Sequence, residues 1–521
     1  MTDLDQPSVA DGELTHRQVM IILSGLLLGI FLAAVDGTIV STALPTIVGE
    51  LGGFDQLTWV VTAYFVTSTA ATPLYGKVSD LLGRRIVYQF AIVSFIGASI
   101  LAGFAQNMTQ LVLFRALQGV GGGGLQSLGF IVMSDIVSPR DRGRYMGYFT
   151  GTYALSGLAG PLLGGLIVDS SLGWRWIFFL NLPIGLITLA VISTVLRLPH
   201  VRIERRIDWE GAGLLVVGVS ALLIAASIGG DDYAWSSPTI LGLIALGLVA
   251  SVGFVWWEGA RAEEPILPLR LFSNDIVAVG MILSVITGAA LMSTNVFLPL
   301  FLQVVTGTSA TESGLILSPM MVGLTLASIV AGGRLSKTGR YKPLIRTGPI
   351  VALAGISGLT LLTTSSPVLM AVPFVILMGI GMGMLMPPLS VSVQNAVPFT
   401  DLGVVTAATA FFRSLGQTIG VALYGALMAA KLRTELAERI DESTLGNLDL
   451  SELTGSPKKI RELPTELQTP VVESIADSVH LVYLAAVPMA LLVVAVAFRL
   501  REIPLRTQSP MAEAKAAAAG E

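Results

Sequence analysis

Long apolar runs recur along this chain, each near the roughly 20 residues that a helix needs to cross the hydrocarbon of a bilayer. They fall near 18–44, 57–76, 86–105, 109–133, 145–169, 176–196, 211–229, 238–257, 276–301, 312–333, 345–364, 367–395, 403–430 and 479–498. Lipid is the solvent that suits this pattern. Of all residues 53% are hydrophobic and only 13% charged, against about a quarter charged in soluble domains. A β-barrel would need alternating segments of about 10 residues, and these runs are continuous. The expected fold is an all-α polytopic membrane protein with about fourteen transmembrane helices. The first run follows an acidic N-terminus (Asp3, Asp5, Asp11, Glu13) with no basic leader, and is expected to be retained as a span.

Lysine and arginine set the orientation. With the N-terminus in the cytoplasm, the short loops on that side hold Lys77, Arg84, Arg85, Arg140, Arg142, Arg144, Arg202, Arg205, Arg206, Arg261, Arg270, Arg334, Lys337, Arg340, Lys342 and Arg346. The short outer loops hold Arg175. This asymmetry predicts an even number of spans, cytoplasmic N- and C-termini and a cytoplasmic (inner) membrane location. The connection 431–478 falls outside. Within it Leu432, Leu436 and Ile440 recur at helical spacing and predict a short amphipathic helix over Lys431–Glu442.

Several chemistries are excluded. There is no cysteine, and the three histidines (His16, His200, His480) are too scattered for a metal cluster. No GxxxxGK[ST] loop is present, so the chain holds no ATP-driven engine of its own, and no catalytic residue set marks an enzyme. The run Gly121–Gly124 sits inside an apolar helix and is not a phosphate loop. No metal, cofactor or nucleic acid is expected, and a monomer is.

A weak internal repeat divides the chain. Leu117, Gly119, Gly121 and Gly123 match Leu377, Gly379, Gly381 and Gly383, and Gly143 matches Gly403 at the same spacing. Gly76, Gly83 and Arg84 match Gly332, Gly339 and Arg340. Repeated halves with a site between them are a common plan for secondary transporters. The expected organisation is a cytoplasmic segment 1–17, a six-helix bundle 18–197, two inserted helices over 198–260, a second six-helix bundle 261–498 and a tail 499–521. The halves differ in charge: Asp80, Arg115 and Asp135 correspond to Ser336, Val375 and Asn395. Ion coupling is therefore expected in the first half, with the second mainly shaping a pocket.

Polar residues inside apolar runs carry the functional reading. Asp36 lies nine residues before Pro45, about 13 Å from the outer end of its span, and Arg115 lies about 9 Å deep from the same side. A carboxylate at such depth costs about 2.5–3.5 kcal/mol on insertion scales, so buried charges in membranes usually serve a function. Proton coupling and a fixed structural ion pair are both open readings of the pair. Gly76, Asp80, Gly83 and Arg84 join the second and third runs. With Asp135 and Arg144 they form a candidate conformational latch at the inner face. Gly157, Gly160, Pro161, Gly164 and Gly165 share the fifth run, where small residues allow close helix packing. Tyr64, Gln126, Asn295, Phe411, Phe412 and Arg413 are candidates for a substrate cavity, with Gln303 and Gln417 as further mid-span polar groups. Trp59, Trp174 and Trp176 are assigned to the interfacial aromatic belt.

The motifs taken together resemble those of the major facilitator superfamily, and more narrowly the fourteen-span drug:proton antiporters of the EmrB/QacA type. The resemblance spans about residues 18–505. It rests on Val35-Asp36…Pro45, Gly76–Arg85, Leu111…Arg115…Gln118-Gly119, Gly157…Gly165, Gly173-Trp-Arg-Trp176…Asn181-Leu-Pro183, Ile207-Asp208-Trp209-Glu-Gly211 and Glu502-Ile-Pro504-Leu-Arg506. It implies a major facilitator fold of two six-helix bundles plus two inserted helices. It also implies alternating access, export of lipophilic small molecules driven by the proton gradient, proton coupling through Asp36 and Arg115, and antiport favoured by Gly157–Gly165. One departure stands out: between Gly403 and Ala430 the chain has no acidic residue and carries Arg413 instead. This weakens any preference for dicationic substrates. Export of an endogenous lipid or metabolite is the nearest rival, followed by a non-transporting membrane scaffold and a nutrient importer.

Overall fold

A computed structural model of the chain describes residues 15–52, 56–168, 170–196, 208–230, 233–440, 460 and 463–508. The acidic N-terminus, Arg202, Arg205, Arg206, the centre of the 431–478 connection and the tail beyond 508 lie outside the described residues. The helices in order are α1 His16–Leu51, α2 Leu57–Leu82, α3 Arg84–Gly103, α4 Met108–Ile136, α5 Pro139–Val168, α6 Trp176–Phe179, α7 Asn181–Val195, α8 Trp209–Ile228 and α9 Pro238–Ala260. There follow α10 Asp275–Val305, α11 Ala310–Thr338, α12 Lys342–Leu359, α13 Ala371–Asn395, α14 Leu402–Arg439 and α15 Thr465–Arg499.

Local sequence explains many helix ends. Thr15 and Gln18 form a capping box at the start of α1, and Ser309 and Glu312 form one at α11. Asn107, Asp208 and Ser237 cap α4, α8 and α9 through their side-chain oxygens, each satisfying a backbone N–H that the first helical turn leaves unpaired. Gly339 closes α11 with a left-handed φ of 68°, a conformation glycine adopts without steric cost.

Eleven of the described helices are long and apolar enough to cross a membrane, against the fourteen spans expected. Helices α2, α4 and α12 fall short for a physical reason. α4 carries a run of glycines with Arg115 and Gln118, and α2 buries Thr62, Ser68, Thr69 and Thr72, all facing protein. α12 has only 18 residues and includes Lys342 and Arg346. The sixth run crosses as one stretch, Trp176–Val195, interrupted at Leu180 between α6 and α7 although Leu180 keeps helical angles, because Pro183 has no N–H to offer the Phe179 carbonyl. The amphipathic segment at 431–442 is no separate helix. α14 continues through it to Arg439, and α15 begins already at Thr465. Leu432, Leu436 and Ile440 are buried in the same apolar core as Val471 and Ile475 of α15.

The helices pack as two groups with matching internal contacts. In the first, α4 lies against α2 and α3, and α1 against α5 and α7. In the second, α13 lies against α11 and α12, and α10 against α14 and α15. The groups meet along two seams, α2 with α14 and α5 with α11. At the end carrying the arginine-rich loops, here the basic end, both seams close to backbone contact at glycines. A Cβ built on Gly76 would lie 2.8 Å from the Ala407 Cβ and 3.1 Å from the Gly403 carbonyl oxygen. One on Gly143 would lie 2.9 Å from the Gly332 carbonyl oxygen. Farther along α5 the seam loosens: Gly157 and Gly165 have nothing within 4 Å, and Leu155 and Leu162 are exposed.

Helices α8 and α9 pair with each other, and α8 lies in the seam between α2 and α14. It shares an apolar core with Val66 and Ala70 of α2 and Val405 and Ala408 of α14, and its Ser227 hydroxyl lies 2.6 Å from that of Thr62. The connector from α9 to α10 is tied down at the basic end. Glu258 accepts the backbone N–H groups of Ile266 and Leu267. Lys77 of α2 pairs with Glu264 at 2.8 Å, and Arg270 makes two 2.8 Å bonds to Asp401 beside α14.

The glycine contacts yield a test. Gly332→Leu leaves no room for Gly143, so the basic end should stand open. The chain has no cysteine, so a single Ala407→Cys, buried beside Gly76, reports this directly. Maleimide labelling from the basic side should rise several-fold in the Gly332→Leu background. Unchanged labelling would mean that the close glycine approach does not hold this end shut.

Candidate functional site

The centre of the first bundle is a closed polar cluster. Asp36 of α1 and Arg115 of α4 form an ion pair through Oδ2 and Nη1, and both residues are 0% exposed. The other carboxylate oxygen, Oδ1, accepts two amide hydrogens, from Gln118 Nε2 at 2.8 Å and Asn181 Nδ2 at 2.7 Å. Arg115 Nη1 also reaches Gln118 Oε1 at 2.8 Å, and Nε donates to the Val60 carbonyl at 3.3 Å. The guanidinium lies over the Tyr64 ring, 4.3 Å from its centroid. This stacking adds cation–π attraction in a fully buried setting. The Tyr64 hydroxyl donates to the Ala33 carbonyl. Asn181 donates its second hydrogen to Ser99 Oγ at 2.9 Å, and that hydroxyl donates to the Phe178 carbonyl.

The segment that delivers Asn181 is anchored at the far end of α1. Glu50 accepts hydrogen bonds from Arg175 and, at 2.6 Å, from the Trp174 indole. The Arg175 bond, then the Trp174 bond, holds the Glu50 carboxyl below the usual carboxylate range. Trp174 is itself buried, packed edge-on against Phe178, which corrects its assignment to the interfacial belt.

The glycine motif of the fifth run sits against the same helix. Gly160 packs on Thr38 and Gly164 on Ile39 and Thr42, so α5 lies against α1 just past Asp36. Gly157, Pro161 and Gly165 face away from that contact.

Around Gly76 and Gly83 the structure brings most of the latch candidates together. Arg84 Nε donates to Asp135 at 2.8 Å, Nη2 meets Asp80 at 2.5 Å, and Nη1 reaches Ser79. Gly403, in the first turn of α14, lies directly on Asp80 and Arg84. The negative Asp80 therefore faces the positive end of a helix dipole. Arg144 is a correction: it is exposed, and no ion pair joins it to this group among the described residues. Arg142, two residues earlier, is the buried arginine of the seam. It donates to the Ser134 and Val137 carbonyls and to Gln394 of α13, because the phase of α5 turns position 142 inward and 144 outward.

The cavity candidates divide. Tyr64 is buried in the first bundle with its ring beneath the Arg115 guanidinium. Phe411 is buried in the apolar core shared with α8, and Phe412 packs edge-on against Phe272. Gln126 accepts from the Tyr153 hydroxyl at 3.2 Å, and Tyr153 lies within electrostatic reach of Arg413. Gln126 and Tyr153 thus join α4 to α5 on the side of α4 that also meets α14. Asn295 is half-buried on α10, and Gln303 bonds Ser313 of α11. A separate apolar groove of about 640 Å³ runs along α11 and α13, bordered by Val322, Leu326, Val330, Ile376 and Ile380, with Arg334 among its lining residues.

A family model described as Major Facilitator Superfamily matches residues 26–421. The chain belongs to the major facilitator superfamily. Among curated relatives within this superfamily, it is 38% identical to the multidrug transporter protein MdtP of Bacillus subtilis, over 96% of both chains. It is 34% identical to multidrug resistance protein 3 of the same organism, over 92% of this chain and 94% of that one. Among solved structures, the proton:xylose symporter XylE superposes with a TM-score of 0.64, over 96% of this chain and all of that one. At 14% identity, that likeness concerns the superfamily fold alone.

Sequence reasoning gives no role to Gln118, Ser99 or Asn181. Asn181 carries a usable signal as the polar residue at the break of an otherwise apolar run. Removing one partner of a buried pair leaves an uncompensated charge, which costs about 3–5 kcal/mol, whereas replacing both by apolar groups is far milder. Arg115→Met should therefore lower the melting temperature in detergent well below that of the double variant Asp36→Leu, Arg115→Met. Equal melting of the two would show that Asp36 is not held as a carboxylate in the folded bundle.

Proposed function

We propose that this protein exports lipophilic small molecules across the cytoplasmic membrane in exchange for protons, by alternating access between its two bundles. The observation that carries the reading is the ion pair of Asp36 and Arg115. It is fully buried in a helix bundle and satisfied by amides, and it lies one helix contact from the seams that must open. A carboxylate whose charge depends on one neighbouring cation changes its proton affinity whenever that cation moves. The names of the two Bacillus relatives, as multidrug proteins, support the direction and the class of cargo.

On this reading α2, α4 and α12 also cross the membrane, giving fourteen spans of the EmrB/QacA type. The basic end faces the cytoplasm, as the arginine asymmetry favours. The Arg84 cluster with Asp80, Asp135 and Gly403 latches that end, and the packing of Gly160 and Gly164 on α1 transmits the state of Asp36 to α5. Gln126, Asn295 and Arg413 contact the cargo, and the proton gradient supplies the energy to a monomer that needs no cofactor. Arg413, set where an acid would attract cations, favours neutral or anionic lipophilic cargo.

Reconstitution in liposomes with an imposed pH gradient tests this, using cationic ethidium and neutral lipophilic dyes. Wild type should move neutral dyes only when the gradient is present, and Asp36→Asn should reduce gradient-driven movement at least tenfold. Gradient-driven movement that survives Asp36→Asn would remove Asp36 from coupling. Arg413→Gln should raise ethidium transport relative to neutral dyes. An unchanged ratio would remove Arg413 from cargo selection.

A further inference from the structure

We infer that Asn181 is a positioning residue that fixes where the coupling proton can bind: locked by Ser99, it holds Oδ1 of Asp36 as an acceptor and leaves Oδ2 as the site of protonation. This inference rests on reading Asp36 as the coupling carboxylate.

The hydrogen-bond chain fixes which way the asparagine amide points. The one hydroxyl hydrogen of Ser99 is used on the Phe178 carbonyl at 2.9 Å. Towards Asn181, 2.9 Å away, the serine oxygen can therefore only accept. The group that Asn181 turns to Ser99 must be its NH2, and the second hydrogen of that NH2 points at Asp36 Oδ1, 2.7 Å away. Gln118 presents its NH2 to the same oxygen while its carbonyl accepts from Arg115. Oδ1 thus faces two donors and no acceptor, so a carboxylic O–H placed there would point hydrogen at hydrogen. Oδ2 faces Arg115 alone among these groups.

The consequence is an ordered exchange. A proton from water reaches the lone pair of Oδ2 only after Arg115 withdraws, giving a neutral carboxylic acid. The Gln118 amide oxygen and the Val60 carbonyl, which accept from Arg115 in the closed pair, are the acceptors nearest to it as it moves off. The titratable and charged groups facing Asp36 are Arg115 from α4 and Tyr64 from α2, with Tyr153 of α5 a step farther, acting on Tyr64. From α3 and α7 the neighbours in this chain are uncharged, Ser99 and Asn181. A donor to the ionised form favours ionisation, so losing Asn181 must raise the proton affinity of Asp36. Freeing its amide to turn, by removing Ser99, must act in the same direction, since a carbonyl could then accept a proton carried on Oδ1.

The test is an infrared titration of the reconstituted full-length protein, following the protonated-carboxyl band that is lost in Asp36→Asn. Asn181→Ala should titrate about one pH unit higher than wild type, a tenfold change in proton affinity, and Ser99→Ala should shift the same way by less. A wild-type band with both variants at its midpoint would overturn the assignment to Asn181 and leave coupling by Asp36 standing. If Asn181→Ala does not fold, Ser99→Ala decides alone. The absence of any titrating Asp36 band in wild type would instead overturn the coupling reading itself.

Discussion

A carboxylate buried completely in an apolar bundle has to be met by charge and hydrogen bonds from the protein, and the first bundle is organised around that demand. Asp36 draws Arg115 and Gln118 from α4, Asn181 from α7 and, through Asn181, Ser99 from α3. The ring of Tyr64 brings in α2 beneath the guanidinium, and Gly160 seats α5 just beyond. The second bundle has matching helix contacts but no such centre, since Val375 stands where the repeat would place an arginine. One half therefore has a charged centre, while near Val375 the other has only an uncharged contact, from the Thr294 hydroxyl to the Met378 sulfur at 2.9 Å.

The same two-fold relation organises the seams. Gly76 corresponds in the repeat to Gly332, and Gly143 to Gly403. In the structure Gly76 meets Gly403 and Gly143 meets Gly332, so a single contact is used twice. Backbone-to-backbone approach of this kind needs glycine on both sides. It also leaves no side chains interlocked between the two bundles at these points. Around them the charged groups are unequal: the Arg84 cluster seals one seam, and Arg142 with Gln394 spans near the other.

Helical periodicity and depth are legible in the amino-acid order of this chain. Rise per residue converts position into depth, and spacing alone sets Asp36 and Arg115 within about 4 Å of one level, close enough for the ion pair that forms. Rotation about a helix axis has no comparable signal in a bundle that is apolar on every side. Tyr64 therefore reads as a cavity residue although it points into the bundle, and Arg144 reads as the latch arginine in place of Arg142. Amides are harder still, because Gln118 and Asn181 look like ordinary helix–helix contacts until the break at Leu180 fixes the register of α7. The stretch after Lys431 reads as a separate short helix because composition reports where a helix leaves the membrane and not where it ends.

The placement of α8 breaks the two-fold symmetry. Two related bundles would leave two equivalent flanks open to lipid. Here α8 fills the flank between α2 and α14, while along α11 the side chains of Val322, Leu326 and Val330 remain bare. The two flanks therefore present different surfaces: one is covered by α8, and the other bears the apolar groove along α11 and α13. The pair α8 and α9 thus gives the molecule a sidedness that its two related groups of helices would lack on their own.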